Sequence, residues 1–253
     1  MLASENLASG DGRGGAVGTD GVQFVRIESS TIRRNEASDG GGVYLDVISE
    51  RSVIKATTFE RNNAPTGSGG ALNVPVGSGV FVKNSTLAFN TASGGSDDPI
   101  DGGGGLYNAG GTHLNAVTMI GNIAFSDAGN KGGGVYTDGD IGVRNSLFVR
   151  NKSDFGQAGS NCAGPSPVVS FGGNLLTETG DTPACSGFDS RSDLVRSNPR
   201  VGALADWGGP TETVRLKNGS PAIDRAGRTT SPERDQRGVR RDHHPDVGAF
   251  ELR

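Results

Sequence analysis

Two short phrases recur together along this sequence, about every 28 residues. One is a pair of glycines followed by two apolar residues, and its copies begin at Gly14, Gly41, Gly69, Gly104 and Gly133. The other is an apolar residue, two variable residues and an asparagine, and its copies end at Asn35, Asn62, Asn90, Asn122 and Asn151, with a degenerate sixth expected at Asn174. Such self-similarity is typical of stacked repeats. The sequence therefore predicts a solenoid.

The local pattern favours a parallel β-helix over other solenoids of similar period. Apolar and polar residues alternate over stretches such as 80–84 and 114–119, whereas the 3.6-residue period of helical repeats and the spacing of leucine-rich repeats are not seen. Strands of successive coils would pair in parallel about 4.8 Å apart. We predict an all-β fold, a right-handed parallel β-helix of about six coils over residues 1–176, with a C-terminal capping segment over residues 177–253.

Two apolar columns are predicted to fill the interior, because one coil cannot bury its own apolar face. Three residues before each asparagine stand Ile32, Phe59, Leu87, Met119 and Phe148. Eight residues before it stand Ile27, Ile54, Val82, Leu114 and Val143.

The repeated asparagines themselves suggest a tight corner. Asparagine tolerates left-handed backbone, and stacked amides can form hydrogen bonds from coil to coil. A polar binding stripe is the alternative, and we favour the structural ladder. The glycine pairs are expected to supply positive φ and close backbone approach.

Composition and charge exclude several classes of protein. The formal net charge of −4 disfavours a nucleic-acid binder, and no apolar run is long enough to form a transmembrane segment. The first residues lack the features of a signal peptide, although the repeat begins almost at once. We therefore expect a fragment of a longer extracellular or cell-surface protein that lacks its signal peptide.

The repeat phrases resemble those of the polymorphic outer-membrane proteins, a family of bacterial β-helical surface proteins. The best-fitting copies end at Asn62 and Asn151 or begin at Gly14 and Gly69, and the resemblance covers roughly residues 10–176. It implies a β-helical protein of the bacterial envelope.

The C-terminal third resembles the choice-of-anchor Q domain that closes many bacterial β-helical surface proteins. The phrases that carry the likeness lie within about residues 174–253, at 207–211, 219–224, 235–241 and 246–251. The resemblance implies an exported protein with this region near its C-terminus.

On physical grounds the segment is expected to cover the apolar end of the last coil. The apolar candidates for that cover are Trp207, Leu216, Ile223, Val247 and Phe250. Its interleaved arginines and acids are expected to form salt bridges, and a basic or metal site that includes His243 and His244 is the alternative.

Cys162 and Cys185 are the two cysteines of the chain. Their spacing is close to one coil, which would place them on adjacent layers within bridging distance. In an exported protein we predict a disulfide between them.

Three functions are weighed. A non-catalytic stalk or adhesin-like protein, with a glycan or another surface protein as partner, is favoured. Carbohydrate binding or polysaccharide degradation is the alternative, although the outward column of Glu28, Lys55, Lys83, Asn115 and Arg144 offers no pair of acids. An ice-binding face would use the column of Thr31, Thr58, Thr86 and Thr118, which ordinary strand pairing explains better.

A longer loop over residues 93–101 interrupts the period. We favour a solvated acidic loop, and the alternative is a calcium site for which Asp97, Asp98 and Asp101, helped by Asp127 on the following coil, are weak candidates. We expect no cofactor and no catalytic residue, and calcium bound by this loop is the alternative.

Overall fold

A computed structural model describes residues 1–8, 12–48, 52–94, 102–125, 131–153, 161–177, 183–189 and 191–253. Parallel strands stack into a β-solenoid of about five turns, so the predicted fold class is confirmed. A complete coil passes through four sheets, here named A to D. Among the described residues, no helix has the length and apolar character needed to span a membrane.

Sheet A precedes the asparagine corner and sheet B follows it. Sheet A contains β1 (Leu2–Ser4), β4 (Thr31–Arg33), β7 (Thr58–Glu60), β11 (Thr86–Ala88), β15 (Thr118–Ile120), β19 (Leu147–Val149) and β23 (Leu175–Leu176). Sheet B contains β8 (Asn63–Ala64), β12 (Thr91–Ser93), β16 (Ile123–Phe125) and β20 (Lys152–Ser153).

Sheets C and D complete each coil. Sheet C contains β2 (Val17–Val22), β5 (Val43–Val47), β9 (Leu72–Val74), β13 (Leu106–Asn108), β17 (Val135–Thr137) and β21 (Cys162–Ala163). Sheet D contains β3 (Arg26–Glu28), β6 (Ser52–Lys55), β10 (Gly79–Lys83), β14 (Gly111–Asn115), β18 (Asp140–Arg144) and β22 (Val169–Ser170).

Both predicted inward columns are buried and belong to one continuous core. The glycine phrases supply positive φ and close approach as expected, although in three coils the positive φ lies at the glycine before the pair, at Gly40, Gly103 and Gly132. Gly69 has φ +70°, and a Cβ on Gly70 would lie 2.3 Å from the carbonyl oxygen of Thr91. Only glycine allows neighbouring coils to approach this closely.

The repeated asparagines form a buried ladder from coil to coil. The Oδ1 atom of Asn90 accepts hydrogen bonds from the backbone nitrogen and the Nδ2 of Asn62, both at 2.9 Å. The Nδ2 of Asn90 donates to Oδ1 of Asn122 at 2.9 Å and to the carbonyl oxygen of Phe59 at 3.2 Å. The same pattern links Asn35 to Asn62 and Asn122 to Asn151.

Two details of the corner differ from expectation. The left-handed backbone lies at the residue before each asparagine, for example Arg61 (φ 52°) and Phe89 (φ 59°), and not at the asparagine. The predicted sixth copy is also wrong, because Asn174 accepts a hydrogen bond from the backbone of Ser146 at the corner between sheets D and A. The ladder continues instead through Asn161, whose Oδ1 accepts from Asn151 at 2.9 Å.

The segment that follows the coils meets them in two places. At the end of the core, the 3-10 helix Pro183–Gly187 is followed by Phe188, whose ring packs edge-on against Phe148 at 5.7 Å. The predicted disulfide Cys162–Cys185 joins this helix to the last part of sheet C, with the two Cα atoms 5.6 Å apart.

Residues 198–253, here called the strap, lie along the side of the solenoid and not over its end. The strap contains an antiparallel pair, β24 (Val201–Ala205) and β25 (Thr213–Leu216). Its apolar residues form a second core with the outward side chains of sheet A, made of Ala88, Ile120, Leu147, Val149, Leu175, Val214, Leu216, Ala222 and Val247. Most of the expected cap therefore covers a flank.

The threonine column of sheet A anchors the strap. Gln236 donates to Thr58 Oγ1 at 2.9 Å and accepts from Thr86 Oγ1 at 2.7 Å. Farther along, the backbone nitrogen of Ala249 donates to Thr118 Oγ1 at 3.0 Å. Because all three threonines are buried, this column is not available as an ice-binding face.

Candidate functional site

Sheet D carries an outward face that, unlike that of sheet A, leaves aromatic side chains exposed to solvent. Two rows run along it in strict register from strand to strand. The row nine residues before the ladder asparagines is Arg26, Val53, Phe81, His113 and Gly142. The row seven residues before them is Glu28, Lys55, Lys83, Asn115 and Arg144.

Aromatic rings form a platform on this face. Phe81 and His113 stack with centroids 4.9 Å apart and planes 14° apart. Phe171 lies two coils beyond His113, and its backbone nitrogen donates to the carbonyl oxygen of Val143 on the coil between them. Phe81 and Phe171 remain 38% and 53% exposed, although large apolar side chains gain free energy from burial.

Gly142 makes the platform continuous. A Cβ on this residue would lie 2.7 Å from Cε2 of Phe171 and 2.9 Å from Nδ1 of His113. Both rings therefore approach the same point above the glycine. A side chain here would force a ring to move, so glycine is favoured by packing and not by backbone conformation.

Three cations flank the platform. The ammonium of Lys83 lies 5.8 Å from the Phe81 ring centroid, and the guanidinium of Arg144 lies 5.0 Å from that of Phe171. Lys55 is the register neighbour of Lys83. Within the part of the chain that the structure describes, none of the three forms an ion pair. Their charge is available to a ligand.

We call these residues the open face, namely Lys55, Phe81, Lys83, His113, Gly142, Arg144 and Phe171. A shallow cleft of about 270 Å³ runs between the two rows, and Asn115 forms part of its wall. The amide nitrogen of Asn115 donates to the carbonyl oxygen of Thr230 at 2.9 Å, which fixes the side chain and places the strap beside the face.

The residues singled out from the sequence are structural or lie outside the described part of the chain. The ladder asparagines are buried, so they do not form an exposed binding stripe. Asp97, Asp98, Asp101 and Asp127 lie outside the described residues. Among the described residues, no group of three or more histidine, cysteine or acidic side chains is arranged to hold a metal ion.

Two pairs of charged residues in the strap form buried ion pairs, of the kind that the sequence suggested. Arg237 contacts Asp235 at 2.7 Å, and Arg241 contacts Glu251 at 3.1 Å. Burial lowers the pKa of Arg241, and the negative charge of Glu251 opposes that shift. Burial raises the pKa of Asp246 to about 6, although hydrogen bonds from the backbone of Leu252 and Asp224 partly counteract it. The Arg241–Glu251 pair joins the last residues of the strap to its middle.

Sequence reasoning identified the cationic row but missed the aromatic row beside it. The signal was present, because Phe81 and His113 occupy the same position in successive coils, as does Gly142. Phe171 was harder to find, since it lies beyond the five clear repeats.

Comparison with known proteins gave no match. No family model fits the sequence, and no curated protein or solved structure matches it significantly. The resemblances to polymorphic outer-membrane protein repeats and to the choice-of-anchor Q domain therefore remain predictions from sequence motifs.

Proposed function

We propose that this protein is a non-catalytic, secreted or cell-surface solenoid that binds an acidic polysaccharide along the open face. The observation that carries the proposal is the exposed platform of Phe81, His113 and Phe171 beside unpaired cations. Aromatic rings stack on the apolar faces of sugar rings, and cations bind the carboxylates or sulfates that acidic polysaccharides carry.

The coil period suits a polymeric ligand. Successive coils repeat at about 4.8 Å, comparable to the length of one sugar unit. Lys55 and Lys83 lie on neighbouring coils, with Arg144 two coils beyond Lys83. An extended chain could therefore place its acidic groups beside successive cations. The overall charge of −4 argues against a nucleic acid as the ligand.

The residues of the open face favour binding of the polysaccharide over its cleavage. Polysaccharide hydrolysis commonly uses two carboxyl groups on either side of the scissile bond. Glu28 is the acidic residue of the two rows, and it pairs with Arg26 at 2.7 Å. We predict that the protein releases neither unsaturated nor reducing ends from pectate, alginate or chondroitin, with or without calcium.

The proposed location also rests on the disulfide. Disulfides persist mainly in secreted and envelope proteins, so Cys162–Cys185 is compatible with an extracellular protein. The location itself stays a prediction.

The binding proposal can be tested by calorimetric titration with oligogalacturonate and with neutral galactan oligosaccharides. We expect tighter binding of the acidic ligand. Phe81→Ala and Phe171→Ala should each weaken it about tenfold through lost stacking. Lys83→Gln combined with Arg144→Gln should weaken binding of the acidic ligand and reduce its salt dependence.

Matched controls lie on sheet B or at its corner. Phe125→Ala removes a ring that is 37% exposed, close to the exposure of Phe81. Lys152→Gln and Arg150→Gln remove exposed cations away from the open face. The proposal is contradicted if oligogalacturonate fails to bind, or if the control variants weaken binding as much as the open-face variants do.

A further inference from the structure

A second concave region lies in the strap and is separate from the cleft of the open face. The cavity has a volume of about 370 Å³, and its wall includes Arg228, Ser231, Arg240, Arg241 and His243. Thr230, the neighbour of Ser231, contacts Asn115 at the edge of the open face. The cavity therefore adjoins that face without sharing its lining residues.

Hydrogen-bond donors without acceptors are concentrated in this wall. Across the described chain, four buried side-chain polar atoms lack a partner, and two of them are Ser231 Oγ and Arg241 Nε. The terminal nitrogens of Arg241 are used, because they donate to Glu251 and to the carbonyl oxygens of Asp246 and Gly248. An unpartnered buried donor costs free energy unless a ligand or water supplies an acceptor.

Two exposed arginines add charged donors to the same wall. Among the described residues, neither Arg228 nor Arg240 forms an ion pair with a carboxylate, although Glu233 and Asp242 also line the cavity. One oxygen of Asp242 accepts a hydrogen bond from the backbone of His244 at 2.7 Å. The groups that still need a partner are thus mostly donors.

The two carboxylates limit the charge of a suitable ligand. Arg228 and Arg240 bring two positive charges, which Glu233 and Asp242 balance in number. A group with several negative charges would be repelled by these acids, whereas one carboxylate or sulfate could bind between the arginines. Guanidinium groups match such oxyanions because they donate two parallel hydrogen bonds.

We propose that this cavity binds a single oxyanion group, a carboxylate or a sulfate ester, through Arg228 and Arg240, with Ser231 and Arg241 as buried donors. The site is independent of the open face and does not require that face to bind a polysaccharide.

The test is a titration of isotope-labelled protein followed by nuclear magnetic resonance. Sodium acetate and sodium sulfate are added in separate arms, and sodium chloride at equal ionic strength is the reference. We expect saturable shifts of the Ser231 amide and the Arg241 Nε–H signals with acetate or sulfate. The arm with the lower dissociation constant identifies the preferred oxyanion.

Variants at the cavity rim make the test specific. Arg228→Ala and Arg240→Ala should each raise the dissociation constant about tenfold, since each removes a charged hydrogen-bond donor. Both side chains are exposed, so the fold should tolerate their loss. Arg225→Ala is the matched control, because Arg225 is an exposed arginine of the strap outside the cavity wall.

The inference is overturned if the shifts follow ionic strength equally in all three salts. It is also overturned if Arg225→Ala weakens binding as much as Arg240→Ala. Phe81→Ala should leave these shifts unchanged, which separates failure of this site from failure of the open face.

Discussion

The coils and the strap are both ordered, but the order has different sources. In the coils, short parallel strands repeat the same contacts, and apolar columns stack into one core. In the strap, one short antiparallel pair is followed by a long irregular segment that side chains hold in place. A repeat can thus specify a solenoid through local patterns, whereas the strap depends on particular partners far away in sequence.

The buried charges show this dependence. The carboxylate of Asp235 accepts hydrogen bonds from the backbone nitrogens of Arg237, Val239 and Glu251. The guanidinium of Arg237 also stacks on Phe250, with 3.6 Å between its central carbon and the ring centroid. Removing one partner of such a network leaves other charges buried without compensation.

The outward faces of sheets A and D also differ, because the strap covers only one of them. From β7 to β23 the outward side chains of sheet A are buried beneath the strap, and those of sheet D remain partly exposed. The chain therefore covers one side of the solenoid itself and leaves another side available to a ligand.

The largest effect is expected from breaking the ladder at its centre. Asn90→Ala removes four buried hydrogen bonds and leaves the backbone nitrogen of Asn62 without its acceptor. We expect the free energy of unfolding to fall by about 4 kcal/mol, measured by urea denaturation. Asn218→Ala, at an exposed asparagine of the strap, is the control and should change stability little. An equal loss in both variants would show that the ladder adds no special stability.

The next largest effect is expected from a leucine truncation in each of the two cores, that of the coils and that of the strap. Leu87→Ala in the coil core and Leu216→Ala in the strap core each truncate a leucine that is 1% exposed. Each should cost about 3 kcal/mol. Amide hydrogen exchange should accelerate throughout the coils for Leu87→Ala, but mainly within residues 198–253 for Leu216→Ala. If Leu216→Ala accelerates exchange equally in the ladder, the strap and coils are one cooperative unit.

The smallest effect is a pH dependence confined to the strap. The pKa of Asp246 is about 6 in the folded protein and near 4 when unfolded, so the folded state holds the proton more tightly. The strap should therefore be most stable, as far as this group contributes, below pH 4. The free energy of unfolding of the strap should fall by about 2 kcal/mol as the pH rises from 4 to 6, and it should change little above pH 6.

This dependence can be measured by the exchange rates of the Val247 and Leu252 amides at several pH values, corrected for intrinsic exchange. Asp246→Asn is the control that cannot titrate, so its strap should show a flatter profile. A strap whose stability rises between pH 4 and pH 6 would contradict the assigned direction of the shift.

The sequence was sufficient to predict the solenoid, its interior columns, the ladder and the disulfide. It succeeded because each coil repeats local patterns, such as the apolar residue three positions before Asn62 or Asn90. The first copy of the asparagine phrase was nevertheless missed. Asn6 fits the same phrase, and its side-chain nitrogen donates to Asn35 Oδ1 at 2.8 Å.

The position of the strap could not be predicted in the same way. Thr58 and Gln236 are 178 residues apart in sequence, and neither belongs to a pattern that specifies the other. One local signal was available, because the outward residues two before the asparagines become apolar at Ala88, Ile120 and Val149. An apolar outward column implies a cover, although it does not identify the segment that supplies it.

The claim that one face is covered by the chain and another binds an acidic polysaccharide can be tested by amide hydrogen exchange with and without oligogalacturonate. We predict slower exchange on adding the ligand in strands β10, β14 and β18 and near Phe171, with unchanged exchange in β7, β11 and β15 beneath the strap. Neutral galactan oligosaccharides at the same concentration should give a smaller effect. Protection that appears beneath the strap, or that is spread evenly over both sheets, would contradict the account.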